Sequence, residues 1–187
     1  MMNGCPRWSF LTVPLLAALG CSDPVPRPSQ GGLTLSVQKL GSPTCPVPGK
    51  IYVVGDPDGP DSNTIGDPLV DGEKGATIKC SVKGNGPYTF SGSIYSDVSK
   101  LTWSLTGGTV NADKATGTAT ASVYTADLAG TFSSAAAACT VTVLKQQIKP
   151  GSMWATISCP TIKNSSTSQE CSVGTTTTFV LENCEGS

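Results

Sequence analysis

The side chain that does most proton transfer near neutral pH is missing: the 187 residues include no histidine. Histidine is also the commonest transition-metal ligand, so a Ser-His-Asp or Cys-His nucleophile is excluded, and so is a hydrolytic metal held by imidazole. What remains for chemistry is 13 carboxylates, 8 cysteines and a few aromatic rings. Paired carboxylates cleave glycosidic bonds without histidine, and Asp97, Asp113, Asp127, Glu170 and Glu182 are the acids from which such a pair could be drawn. Nothing in their spacing brings two of them together, and no catalytic residue is assigned.

Two other groups of residues invite a binding reading. The stretch Gly55-Asp56-Pro57-Asp58-Gly59-Pro60-Asp61, followed by Asp67, Asp71 and Glu73, gathers acids on a Gly-containing turn. Calcium takes clustered carboxylate and carbonyl oxygens, which makes Asp56, Asp58 and Asp61 its candidate ligands. The EF-hand spacing is not met, however, and Pro57 and Pro60 stiffen the loop. A solvated, turn-rich loop is the first reading and calcium the alternative. Tyr95, Tyr124 and Trp154 form the second group, each sharing the polar parity of a Ser- and Thr-rich run. On an exposed sheet face they could stack on sugar rings or form the centre of a protein interface; covered by loops or a second sheet, they are ordinary packing.

Three fragments imitate motifs without their context. Ser36-Val37-Gln38-Lys39 fits S-x-x-K, but no S-D-N or K-T-G follows, and in a strand Ser36 and Lys39 point to opposite faces. Gly84-Asn85-Gly86 is a hairpin signal, not a phosphate loop, since no Lys-Ser/Thr follows it. Asn164-Ser165-Ser166 is a glycosylation sequon only in a eukaryotic source.

The cysteines set the compartment. Residues 1–20 carry one positive charge, Arg7, then Phe10, Leu11, Val13, Leu15, Leu16, Ala17, Ala18 and Leu19, the n- and h-regions of a signal peptide and too short to span a bilayer. The end of this segment, Ala18-Leu19-Gly20-Cys21, resembles the lipobox of bacterial lipoproteins. That resemblance implies cleavage before Cys21 and a diacylglycerol on its sulfur, although Ala18 and Leu19 stand in the opposite order to the usual one. Ordinary secretory cleavage at the same bond is the alternative. Parity favours the lipid: with Cys5 removed and Cys21 acylated, Cys45, Cys80, Cys139, Cys159, Cys171 and Cys184 are left, and six can pair completely. The Pro-rich segment 21–32 reads as a semi-rigid tether. Ser22, where enteric lipoproteins retained in the inner membrane carry Asp, implies the outer membrane.

These features must be positioned by a β-fold. Charged residues are 13% of the chain, and removal of Arg7 leaves 11 basic residues against 13 acids, which gives no basic stripe for nucleic acid. From residue 33 onward, nine short apolar runs lie between Gly, Pro, Asn and Asp. They are Leu33–Val37, Ile51–Val54, Ile78–Val82, Tyr88–Ile94, Leu101–Leu105, Ala119–Val123, Cys139–Val143, Met153–Cys159 and Phe179–Leu181. Most alternate with period two, which predicts one all-β domain over 33–187, an antiparallel, disulfide-bonded β-sandwich. Residues 126–138 could add a short helical turn. Trp103 between Cys80 and Cys139 is similar to the core of immunoglobulin-like domains, but Ala137 stands where those domains carry a tyrosine. A Cys-based metal site lacks any close CxxC pair.

The functional expectation is a non-enzymatic lipoprotein of the cell envelope, held to the membrane through the Cys21 lipid, with a structural role or a polysaccharide or protein ligand. A carboxylate-based glycoside hydrolase and a calcium-dependent adhesion module are the alternatives.

Overall fold

A computed structural model describes residues 25–39, 44–47, 49–55, 67–111 and 114–186. Residues 1–20, read as a signal peptide, together with Cys21, Asp56, Asp58, Asp61 and Asp113, lie outside the described residues. Among the described residues there are eleven strands and a single 3₁₀ turn at Glu73–Gly75; segment 126–138, read as room for a helical turn, instead forms turns around a two-residue strand. No helix among them is long and apolar enough to cross a membrane.

The strands are β1 (Gln30–Gln38), β2 (Lys50–Val54), β3 (Leu69–Val70), β4 (Ala76–Gly84), β5 (Pro87–Ser96), β6 (Leu101–Asn111), β7 (Thr116–Thr125), β8 (Phe132–Ser133), β9 (Cys139–Lys149), β10 (Ser152–Asn164) and β11 (Glu170–Glu182). They form one antiparallel sheet in the order β2-β1-β11-β10-β8-β7-β6-β5-β4, with β3 on β1 and β9 bridging β10 and β7. Because β1 begins at Gln30, Gln30, Gly31 and Gly32, read as the end of the tether, belong to the domain. Gly84-Asn85-Gly86 closes the β4–β5 hairpin as its sequence predicts.

The sheet turns back on itself, so the two layers expected of a sandwich are halves of one hydrogen-bonded sheet. Leu33, Leu35 and Val37 of β1 and Phe179 and Leu181 of β11 are buried with Ile78 of β4, Phe90 and Ile94 of β5, and Trp103 and Leu105 of β6. Phe179 sits where the halves meet, its ring 5.2 Å from that of Trp103 and 6.3 Å from that of Phe90 between centroids. The backbones approach closely here. A Cβ on Gly31 would lie 3.1 Å from Ile78 Cγ2, and one on Gly92 would lie 2.8 Å from Leu181 Cδ1. Trp103 Nε1 has no hydrogen-bond partner, a cost of about 1–3 kcal/mol that the burial of the ring itself must offset.

All six predicted cysteines are bridged, as Cys45–Cys171, Cys80–Cys184 and Cys139–Cys159. The immunoglobulin-type pairing of Cys80 with Cys139 around Trp103 is not formed. The reason is register: Thr140 faces Ser158 across β9 and β10, so Cys139 stands opposite Cys159. Cys80–Cys184 ties the C-terminal tail to β4, where Val82 N donates to Glu185 O at 2.9 Å. Cys45–Cys171 ties the segment before β2 to the start of β11.

That last bridge closes the longest span, 126 residues. Its removal in the double variant Cys45→Ser, Cys171→Ser is expected to cost about 2–5 kcal/mol. Urea unfolding followed by tryptophan fluorescence checks this; an unchanged midpoint would mean the segment is held by its other contacts.

Candidate functional site

With the apolar side chains turned inward, the alternation leaves hydroxyls on the outer face of β4–β7. Register aligns them in rows. One row runs Thr77, Tyr95, Thr102, Tyr124 across four strands, and the next runs Lys79, Ser93, Ser104, Ser122. Tyr95 and Tyr124 are thus brought onto one face, 40% and 45% exposed, two strand spacings or about 9–10 Å apart. Beside them is a shallow trough of about 560 Å³, floored by Ser81, Ser91, Ser93, Ser104 and Thr106, with Lys79 among them and Asp71 and Glu185 at its margin.

Trp154 does not join this row. It lies on the outer face of β10, where register sets it opposite Val180 of β11. Its diagonal neighbour on the same face is Glu182, two residues on, and the indole Nε1 donates to Glu182 Oε1 at 2.8 Å. The ring lines a separate hollow of about 290 Å³ with Gln147, Lys149, Ser152 and Glu182.

The acids are engaged one by one. Tyr95 Oη donates to Asp97 Oδ1 at 3.2 Å, and Lys100 Nζ donates to the same oxygen at 2.6 Å. Lys100 holds the Asp97 carboxyl below its ordinary value of 3.8, first through this hydrogen bond and then through its charge, with Tyr95 adding to the effect. Asp127 Oδ2 accepts from Lys50 Nζ at 2.6 Å and from Tyr52 Oη at 2.9 Å, and these donors lower its pKa in the same order. Burial raises that of Tyr52, whose oxygen also accepts from Thr125 Oγ1. Glu170 pairs with Lys163 at 2.5 Å. A general acid needs its pKa raised; those of Asp97 and Asp127 are moved the other way.

Asp71 and Glu73 of the acidic segment serve the backbone. Asp71 Oδ1 accepts from Ile78 N at 2.7 Å, and Glu73 Oε2 accepts from Val70 N at 3.1 Å. No group of three or more cysteines and acids able to hold a metal occurs among the described residues. Asn164 of the sequon is 3% exposed; its Nδ2 donates to Ala129 O and its Oδ1 accepts from Ser166 N and Thr167 N.

The trough was not read from the sequence, although its signal was there. Ser and Thr fill the outward positions of four strands in succession, but only the register shows that they align. No family model, curated protein or solved structure matches the chain.

The Asp97–Lys100 pair is exposed and adds little to stability. Because the folded-state pKa of Asp97 is depressed, whatever the pair contributes is present above the unfolded pKa and lost as pH falls through the folded one. A carboxyl NMR titration should place the Asp97 midpoint below 3.8, and Lys100→Ala should move it upward; a midpoint that ignores Lys100 would show that the pair does not persist in solution.

Proposed function

We propose that the chain is a non-enzymatic, lipid-anchored module of the bacterial cell envelope that binds a neutral glycan on the outer face of β4–β7. The observation that carries this reading is the tyrosine row set beside the hydroxyl trough. Aromatic faces take the apolar faces of sugar rings, and hydroxyl groups on a flat sheet exchange hydrogen bonds with the sugar's own. With Lys79 balanced by Asp71 and Glu185 at the margin, the trough offers no concentrated charge for an anionic polymer.

The anchor is supported by parity. The six cysteines of the domain are consumed by one another, which leaves Cys21 no partner among them, and the bridges suit an oxidising compartment. Cleavage before Cys21, acylation there, and placement in the outer membrane follow from the lipobox resemblance.

The test is titration calorimetry of the full-length protein against soluble glucan, xylan, galactomannan and alginate. Saturable binding of a neutral polymer is expected, weakened about tenfold in Tyr124→Ala, the loss of one stacking contact. Preference for alginate, or no binding to any of them, would overturn the reading. Chelation of calcium should leave binding unchanged; its loss would point to the loop holding Asp56, Asp58 and Asp61.

A further inference from the structure

The C-terminal tail runs between the Trp154 hollow and the trough. Glu182 lines the Trp154 hollow and also an adjoining one that reaches Asn183, and Glu185 lines the trough. Only Asn183 and Cys184 lie between Glu182 and Glu185, three residue steps with a reach of at most about 11 Å. The tail between them is fixed from both sides. Cys184 is bridged to Cys80, Cys184 N donates to Gly151 O at 2.9 Å, Gly151 N donates to Val82 O at 2.9 Å, and Glu185 N donates to Cys80 O at 3.2 Å. A ligand leaving the trough over the edge of β4 therefore meets an ordered path to the indole.

The hollow has the chemistry of a single sugar subsite. The Trp154 ring is part-buried and its N–H is committed to Glu182, so the ring is set before any ligand arrives. A carboxylate has about four acceptor sites, and Glu182 keeps most of them for hydroxyl donors. Lys149, Gln147 and Ser152 supply donors around the rim, and Lys149 forms no ion pair among the described residues. Glu182 and Lys149 balance one another in charge across the hollow, so it concentrates no charge for an ionic ligand, and a neutral polyhydroxylated ring is the fitting occupant.

We infer that the Trp154–Glu182 hollow is the end subsite of an extended glycan-binding surface, taking one sugar ring of a chain whose body lies in the trough, with the disulfide-held tail as the bridge. This rests on the glycan reading of the β4–β7 face. It requires that affinity depend on chain length, since a disaccharide can occupy only one of the two places.

The experiment uses the full-length protein carrying Trp8→Phe, so that Trp103, fully buried, and Trp154 are its indoles. Cellobiose, xylobiose and mannobiose are compared with the corresponding hexasaccharides by calorimetry and by iodide quenching of fluorescence. The expected result is that one hexasaccharide binds at least about tenfold more tightly than its disaccharide and shields Trp154 from iodide. Trp154→Phe, Glu182→Gln and the double variant Cys80→Ser, Cys184→Ser should each erase the advantage of length, bringing the hexasaccharide down to the affinity of the disaccharide. Thermal melting identifies any variant that fails to fold, and Glu182→Gln, the mildest, then decides. Hexasaccharide binding that needs Tyr124 but leaves Trp154 exposed and ignores Glu182→Gln would overturn the inference and spare the glycan reading. No binding at either length, with the polymers of the preceding test also inert, would overturn both.

Discussion

An apolar sheet face with no helix to cover it can leave water only by meeting another part of the same sheet. This constraint organises the chain. The nine apolar runs supply one inward face, and the sheet folds until β1 and β11 lie against β4, β5 and β6. Phe179 is the point of contact, between Phe90 and Trp103. Gly31 and Gly92 permit the approach because the space a side chain would need there is taken by Ile78 and Leu181. Two of the bridges then fasten places outside the ladder, the segment before β2 and the C-terminal tail, and the third joins β9 to β10 within it.

Folding inward to satisfy the apolar residues fixes what is left outside. Along β4 to β7 every second position faces water, and the chain fills these with Ser, Thr and a few Lys and Tyr. A long sheet must also manage its edges, where unpaired N–H and C=O groups invite other strands. The β4 edge receives Glu185 as a parallel partner of Ser81. On β2, Ser99 Oγ donates to Val53 O at 3.0 Å, and Lys50 reaches across to Asp127. The same tail that covers the β4 edge thus becomes a wall of the trough, so edge protection and surface shape come from one segment.

Much of this was legible in the residues. Each of the nine runs is a strand, because period two is a local property of the chain. The two strands that escaped notice, β3 and β8, are two residues long, too short to show any period. The six bridging cysteines follow from parity, but their pairing depends on which strands become neighbours, and Cys139 meets Cys159 only through the β9–β10 register. Likewise the parity of Tyr95, Tyr124 and Trp154 placed all three outward, while only the strand order reveals that the tyrosines share a row and the tryptophan stands apart.

The carboxylates show how a chain without histidine uses its remaining polar groups. Three of the acids that could have formed a catalytic pair each hold the polar tip of an aromatic ring: Asp97 that of Tyr95, Asp127 that of Tyr52, and Glu182 that of Trp154. For Asp97 and Asp127 a lysine shares the carboxylate and keeps it ionised. An acid held in this way is a poor proton donor but a good fixed acceptor, and what it fixes is the orientation of a flat apolar surface. Ordering a ring before its ligand arrives removes part of the entropic cost of binding. Tyr52 shows the structural version of the device, buried under Lys50 with its ring 5.2 Å from the ammonium; Tyr95 and Trp154 place the same pairing at the surface, where the oriented ring faces water and is open to a ligand.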